Sequence, residues 1–166
     1  MTAIFTKVIP FLILAEGDKD SDNPNDYGGE SKFGISKRSY PDVDIASLTI
    51  EEASVIYERD YWKPYRIDEV IDQTIANQIF LLLINMNPEK AIRIIQTAIN
   101  VCGRTITVID VDGKMGEDTI DSLNKLDRFW LSDHIRIEEC RYYLAETDRD
   151  KTQINNLRSW IRRTLL

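Results

Sequence analysis

Apolar residues Ile4, Val8, Phe11, Leu12 and Ala15 recur at three- and four-residue intervals, which predicts an amphipathic first helix over residues 2–15 with Gly17 as its left-handed cap. Pro10 interrupts this pattern, because a proline inside a helix removes one backbone hydrogen bond and kinks the chain. From 17 to 36 the periodicity gives way to Asp, Asn, Gly and Pro, which favour turns, and Gly28-Gly29 predicts a tight hairpin among loop and short strands. Thr49 and Glu52 then form a capping box, and Ala53, Ile56, Tyr57 and Tyr61 continue one helix face to an end near Trp62, ahead of Pro64. The segment 72–86 is apolar on nearly every side from Ile79 to Ile84, the pattern of a central buried helix that is too short to span a bilayer. Asn87-Pro88 supplies a cap and a first-turn proline for a helix running to about 101, with Gly103 past its end. Asp112-Gly113 turns the chain before expected helices over 117–126, 131–145 and 152–166, the last with Ile154, Leu157, Trp160, Ile161 and Leu165 as one stripe. No repeat and no linker long enough to separate independent domains is present. The expected fold class is mainly α around one loop-and-hairpin region, with parts 1–70 and 71–166 packed as one compact unit.

Composition narrows the partners more than the fold. The 166 residues are 43% hydrophobic and 30% charged, an ordinary balance for a globular chain that can bury a sizeable core. A net charge of −7 opposes binding to nucleic acid, whose affinity comes mostly from Lys and Arg on phosphates. Cys102 and Cys140 lack the spacing of a metal or redox motif and are too few for a disulfide framework, leaving one optional bridge open. His134 is the sole histidine, so neither a histidine-based triad nor a His-rich zinc site is supported. Asp18, Asp20 and Asp22 begin like an EF-hand loop, but Asn23 stands at its sixth position and Gly29 at its twelfth, where Gly and a bidentate Glu are required. No metal and no cofactor is expected. The apolar run 8–15 is too short for a membrane span and has no clear cleavage site after it, so synthesis in the cytoplasm without a signal peptide is the expectation.

Glu16 falls at the C-terminal end of the first helix, where the negative end of the dipole disfavours a carboxylate and raises its pKa. A lone Glu in such a place is usually a solvated surface group. Its company changes that weighting: Asn23-Pro24, Asp26-Tyr27-Gly28-Gly29-Glu30-Ser31 and Phe33-Gly34-Ile35-Ser36 follow in order, then Leu48-Thr49, Glu52-Ala53, Tyr57 and Asp60-Tyr61-Trp62. This ordered set resembles glycoside hydrolase family 108, typified by Glu-Gly-Gly near the end of its first helix and an Asp-Pro-Gly-Gly loop leading to Gly-Ile-Thr. Asp18 stands where the family has its second glycine, Tyr27 replaces the proline, Ser31 replaces threonine, and one extra residue lies between Glu16 and Asn23. Phe80, Asn85, Ala91, Gln96, Asp112-Gly113-Lys114-Met115-Gly116 and Thr119 are similar to the predicted peptidoglycan-binding region that accompanies the hydrolase. Trp160 with Arg162-Arg163 resembles that region's terminal Trp-x-x-Arg pattern.

The resemblance implies a lysozyme-like helical fold and an N-acetylmuramidase that cleaves peptidoglycan between N-acetylmuramic acid and N-acetylglucosamine. Its members are phage endolysins and secretion-assisting muramidases, so the implied partner is the glycan strand, reached after release to the cell wall, by a monomer. Glycosidic cleavage needs one carboxylic acid held neutral and a second group serving the opposite face of the sugar. Glu16 takes the first role. Asp26 would polarise water or stabilise the oxocarbenium-like transition state, and Ser31 would position that water; the other reading of Asp26 is a cap for the Gly28-Gly29 turn. Tyr27, Tyr61 and Trp62 are candidates to contact sugar, although core packing is expected for at least one of Tyr61 and Trp62, since Tyr57 and Tyr61 share a helix face with Ala53. The alternative function is a non-catalytic peptidoglycan-binding or secretion accessory protein.

Overall fold

The computed structural model describes residues 1–16, 31–103 and 108–164, with 15 and 16 as backbone alone. A 3₁₀ turn at Phe5–Lys7 leads into helix α1, Ile9–Glu16, so the first helix starts later than its periodicity predicts. The shift disposes of the proline problem. Pro10 is the second residue of α1, where backbone amides have no acceptor within the helix to lose. Val8 and Leu12 are buried beneath it.

Strands β1, Ser31–Lys32, and β2, Ile35–Ser36, form an antiparallel hairpin with Ser31 opposite Ser36 and Lys32 opposite Ile35. The two turn residues, Phe33 at φ 51° and Gly34 at φ 77°, both have the positive angles that a two-residue hairpin turn of matching twist requires. Gly34 adopts that conformation freely, whereas Phe33 costs roughly 1–2 kcal/mol there. The Tyr57 hydroxyl offsets part of it by donating to the Phe33 carbonyl at 3.0 Å. The tight turn expected at Gly28-Gly29 lies outside the described residues.

Helix α2, Ile50–Tyr57, opens with the expected capping box: Glu52 N–H donates to Thr49 Oγ1 at 3.2 Å, and Thr49 N–H to Glu52 Oε2 at 2.9 Å. It continues into one π-helical turn, Glu58–Trp62, whose closing bond runs from Lys63 N–H to the Glu58 carbonyl. Helix α3, Gln73–Asn85, is capped by Asp72, which accepts from Thr74 and Ile75 N–H. Ile79, Phe80, Leu82 and Leu83 leave at most 2% of their surface exposed, as the unbroken apolar run predicts. Only Met86 and Asn87 separate α3 from α4, Pro88–Cys102, with Asn87 as the cap and Pro88 in the first turn.

Helices α5, Glu117–Lys125, α6, Arg128–Arg149, and α7, Ile154–Thr164, complete the chain, with a 3₁₀ turn at Lys151–Gln153 between the last two. Helix α6 packs against α3, α4 and α7. Buried residues form a cluster from Ala3 to Ile135, into which α1, α2, α3 and α4 all contribute. Between α4 and α5 the Asp112-Gly113 turn is held by one buried side chain: Gln96 donates to Asp112 Oδ1 and the Lys114 carbonyl and accepts from Gly113 N–H. Gly113 sits at φ 77°, and a Cβ there would lie 2.6 Å from Glu89 Cγ, so glycine is required on two counts. Cys102 and Cys140 are free thiols, so the optional bridge is not formed. Among the described residues, no helix is long and apolar enough to cross a membrane.

Candidate active site

Glu16 is the last residue of α1, as its place in the sequence predicts. Ser31 opens β1 and is half-buried opposite Ser36. Asp26 and Tyr27 lie outside the described residues, as do the aspartates of the EF-hand-like stretch. The remaining two candidates part company. Tyr61 is half-buried and lines a concavity of about 220 Å³, whereas Trp62 keeps 1% of its surface exposed. Trp62 packs edge-on against Phe5 with ring centres 5.4 Å apart and lies tilted against Phe80 at 6.0 Å. It therefore presents no face to a sugar, and the groove role considered for it is replaced by a place in the core. The cause is positional: the π turn brings residues five apart onto one face, so Trp62 falls in line with the buried Tyr57, and both rings pack on Phe80.

The concavity beside Tyr61 is assembled from four further parts of the chain. The hairpin contributes Gly34 and Ile35, the following turn Ser39 and Tyr40, and α2 and α3 contribute Tyr57 and Ile84. Ser39 and Tyr40 are placed by their amides, which both donate to the Ser36 carbonyl. Across the pocket rim, the Tyr40 hydroxyl donates to Asp60 Oδ2 at 2.9 Å. Arg59 grips the same carboxylate through Nε at 2.6 Å and Nη2 at 2.7 Å.

These contacts fix the charge states. The Arg59 hydrogen bonds hold the Asp60 carboxyl below its usual range, so Asp60 stays ionised and is a poor proton donor. Burial, then the hydrogen bond to Asp60, pushes the Tyr40 phenol well above its ordinary value. Tyr61 is raised too, first by burial and then by the Asp60 charge. The pocket thus offers neutral phenols, a hydroxyl and aromatic faces. Flat rings with polar edges suit a pyranose, which has both an apolar face and a rim of hydroxyls.

Of the pocket's side chains, sequence reasoning singled out Tyr61 but not Tyr40, Ser39 or the Arg59–Asp60 pair beside them, and Ser31 is not among the residues that line the pocket. Asp60 stood in view within Asp60-Tyr61-Trp62, yet its partner Tyr40 is twenty positions away and is brought near only by tertiary packing. His134 is on the surface with Nδ1 2.7 Å from the Trp130 carbonyl. Among the described residues, no group of three or more His, Cys, Asp or Glu is arranged to hold a metal ion.

Comparison with known families assigns the two halves of the chain. Residues 9–86 match the family Glycosyl hydrolase 108, and residues 90–165 match the Predicted Peptidoglycan domain. Residues 9–86 are a glycosyl hydrolase 108 region, and they make up just under half of the chain. The glycosyl hydrolase 108 region holds α1, the hairpin, α2 and α3, and therefore every part of the tyrosine pocket; the peptidoglycan region holds α4 to α7. Among solved structures, that of Brucella abortus SagA matches with a TM-score of 0.68 at 20% identity, covering 97% of this chain and 93% of that one. The fold is the mainly α, lysozyme-like one with a small two-stranded sheet that the resemblance implies. A comparison with curated proteins found no match.

Proposed function

We propose that the chain is an N-acetylmuramidase that hydrolyses peptidoglycan between N-acetylmuramic acid and N-acetylglucosamine, with Glu16 as proton donor. The observation that carries this is the placement of Glu16 as the final residue of α1 inside a region matching Glycosyl hydrolase 108. At that position the helix dipole works against a negative carboxylate, by about 0.3–1 kcal/mol, and favours the protonated form that a leaving-group oxygen needs. Asp26 and Ser31 serve the opposite face of the sugar: Asp26 supports the oxocarbenium-like charge or the attacking water, and Ser31 orients that water. Tyr61 and Tyr40 hold the glycan at the edge of the hairpin. Asp60, clamped by Arg59, contributes a fixed negative charge and positions Tyr40, and it does not deliver the proton.

The enzyme acts as a monomer on glycan strands, made in the cytoplasm and released to the wall in the manner of an endolysin or a secretion-assisting muramidase. The deciding experiment is clearance of purified cell walls by the wild type and by Glu16→Gln, with the products analysed by mass. Glu16→Gln is expected to abolish clearance while the melting temperature stays near wild type. Reducing ends on N-acetylmuramic acid with one water added identify hydrolysis. Equal clearance by both proteins would falsify the assignment of Glu16, and no clearance by either would favour a non-catalytic wall-binding role.

A further inference from the structure

The peptidoglycan half contains a groove that the cleavage chemistry leaves unused. It runs between α4 and α6 with a volume of about 400 Å³. Four cations line it, Lys90, Arg93, Arg141 and Arg149, against two carboxylates, Glu138 and Glu146. In a chain of net charge −7 this is a local reversal of sign. The charges are also layered. The Glu138 and Glu146 side chains are 10% and 22% exposed and form the floor, while those of Arg141 and Arg149 are 67% and 70% exposed and form the rim.

Each cation has a partner within the protein, and the geometry of those pairs leaves room for another. Arg141 reaches Glu138 through Nη1 at 2.7 Å, and Arg149 reaches Glu146 through Nη1 at 3.1 Å. A guanidinium has five N–H donors in a planar fork, so a bond through one nitrogen does not exhaust it. Lys90 Nζ is 3.0 Å from the Tyr142 hydroxyl and 3.7 Å from Glu146, and Arg93 bonds to Glu89 and to the Val111 carbonyl. With the Arg141 and Arg149 side chains about two-thirds exposed, the outward donors of both guanidiniums remain open to an incoming carboxylate.

A second depression of about 360 Å³ continues the groove, sharing Lys90, Tyr142 and Glu146 with it. There the lining changes to the amides of Asn85, Asn87 and Gln153, the indole of Trp160 and the Asp150 carboxylate, which accepts from Thr152 and from the Gln153 amide. With a cationic rim at one end and amides and an indole at the other, the pair of depressions matches a molecule with an acidic arm attached to a sugar. We propose that this groove binds the peptide stem of peptidoglycan, its carboxylates on the Arg141 and Arg149 guanidiniums and its sugar along the Trp160 depression. The proposal rests on the chain being directed at peptidoglycan, and it supplies a second hold on the substrate, distinct from the tyrosine pocket.

The test uses the full-length protein and two soluble probes, an N-acetylglucosaminyl–N-acetylmuramic acid disaccharide carrying its stem peptide and the same disaccharide stripped of peptide. Neither contains the bond proposed to be cut, so binding is read by calorimetry without turnover. The wild type is expected to bind the peptide-bearing probe about tenfold more tightly, the scale of charge-assisted bonds to two exposed arginines. The Arg141→Gln/Arg149→Gln double variant should erase that preference and keep the wild-type affinity for the stripped probe and the wild-type Tm. The proposal is overturned if the wild type shows no preference, if the double variant retains it, or if equimolar inorganic phosphate removes it. Wall clearance is measured alongside: a lost preference in the double variant concerns the groove, whereas undiminished clearance by Glu16→Gln concerns the muramidase assignment alone.

Discussion

Tyr61 and Trp62 are adjacent in sequence and opposite in role. A pair of aromatics at a helix end reads equally well as a sugar platform or as core, and only burial separates the two. Trp62, among the most buried large side chains with Phe80 and Leu12, should behave as core does: Trp62→Ala is expected to cost about 3–5 kcal/mol, measured by denaturant unfolding. Tyr61→Phe removes a pocket hydroxyl and keeps the ring, so stability should hold while KM for glycan rises about two- to tenfold, the worth of one neutral hydrogen bond. An unchanged KM with lowered stability would place Tyr61 in the core as well. The residues legible from sequence were those acting on their own neighbourhood, such as Thr49, Asn87 and Gly113, because caps and tight turns are three- or four-residue affairs. Tyr40 and Asp60 were not, since their contact is made by packing the turn after the hairpin against the π-helical turn.

Among the elements, the later helices show where periodicity stops being informative. The pattern predicts a helix over 131–145, but α6 starts at Arg128 because Asp127 caps it, accepting from Phe129 and Trp130 N–H. Phe129 and Trp130 are 67% and 66% exposed, so the apolar residues of the first turn lie off the buried face and hide the start of the helix. Where α6 meets α7, Tyr143 stacks on Trp160 with ring centres 5.2 Å apart, and Arg136 Nε donates to the Thr164 carbonyl at 3.1 Å. Beneath this contact Glu139 is buried and accepts from the Tyr143 hydroxyl at 2.9 Å. Burial pushes its pKa up to about 7, while the Tyr143 hydrogen bond and the charges of Arg136 and Arg163 pull the other way. A carboxyl raised in the folded state favours folding while protonated, so its contribution is complete below the ordinary value of 4.5 and is lost as pH climbs to about 7. The difference in Tm between wild type and Glu139→Gln should therefore shift in favour of the variant across that interval and level off above it. A difference that stays constant with pH would show that Glu139 does not titrate there.

At the scale of the whole molecule, the mainly α class followed directly from the capped, periodic segments, but the two concavities did not. Each is a space left between elements distant in sequence, the hairpin against α2 and α3 in one case and α4 against α6 in the other. The family boundaries fall at 86 and 90, and the chain between the helices that flank them consists of Met86 and Asn87 alone. Helices α3 and α4 bury Phe80, Leu83, Ile92 and Ile95 in one core. Scanning calorimetry should therefore show a single unfolding transition for the full chain, and a 1–86 fragment should lack cooperative melting because α3 would lose the surface that covers it. Two resolved transitions would contradict a shared core.

That short junction also limits how such a protein can be rearranged by recombination. Two catalytic and wall-directed segments joined by a flexible tether can be exchanged freely between genes, but here the seam is a packed surface. A chimaera that takes either half from another chain must import side chains complementary to α3 or α4 along with it, so the two halves are constrained to diverge in step.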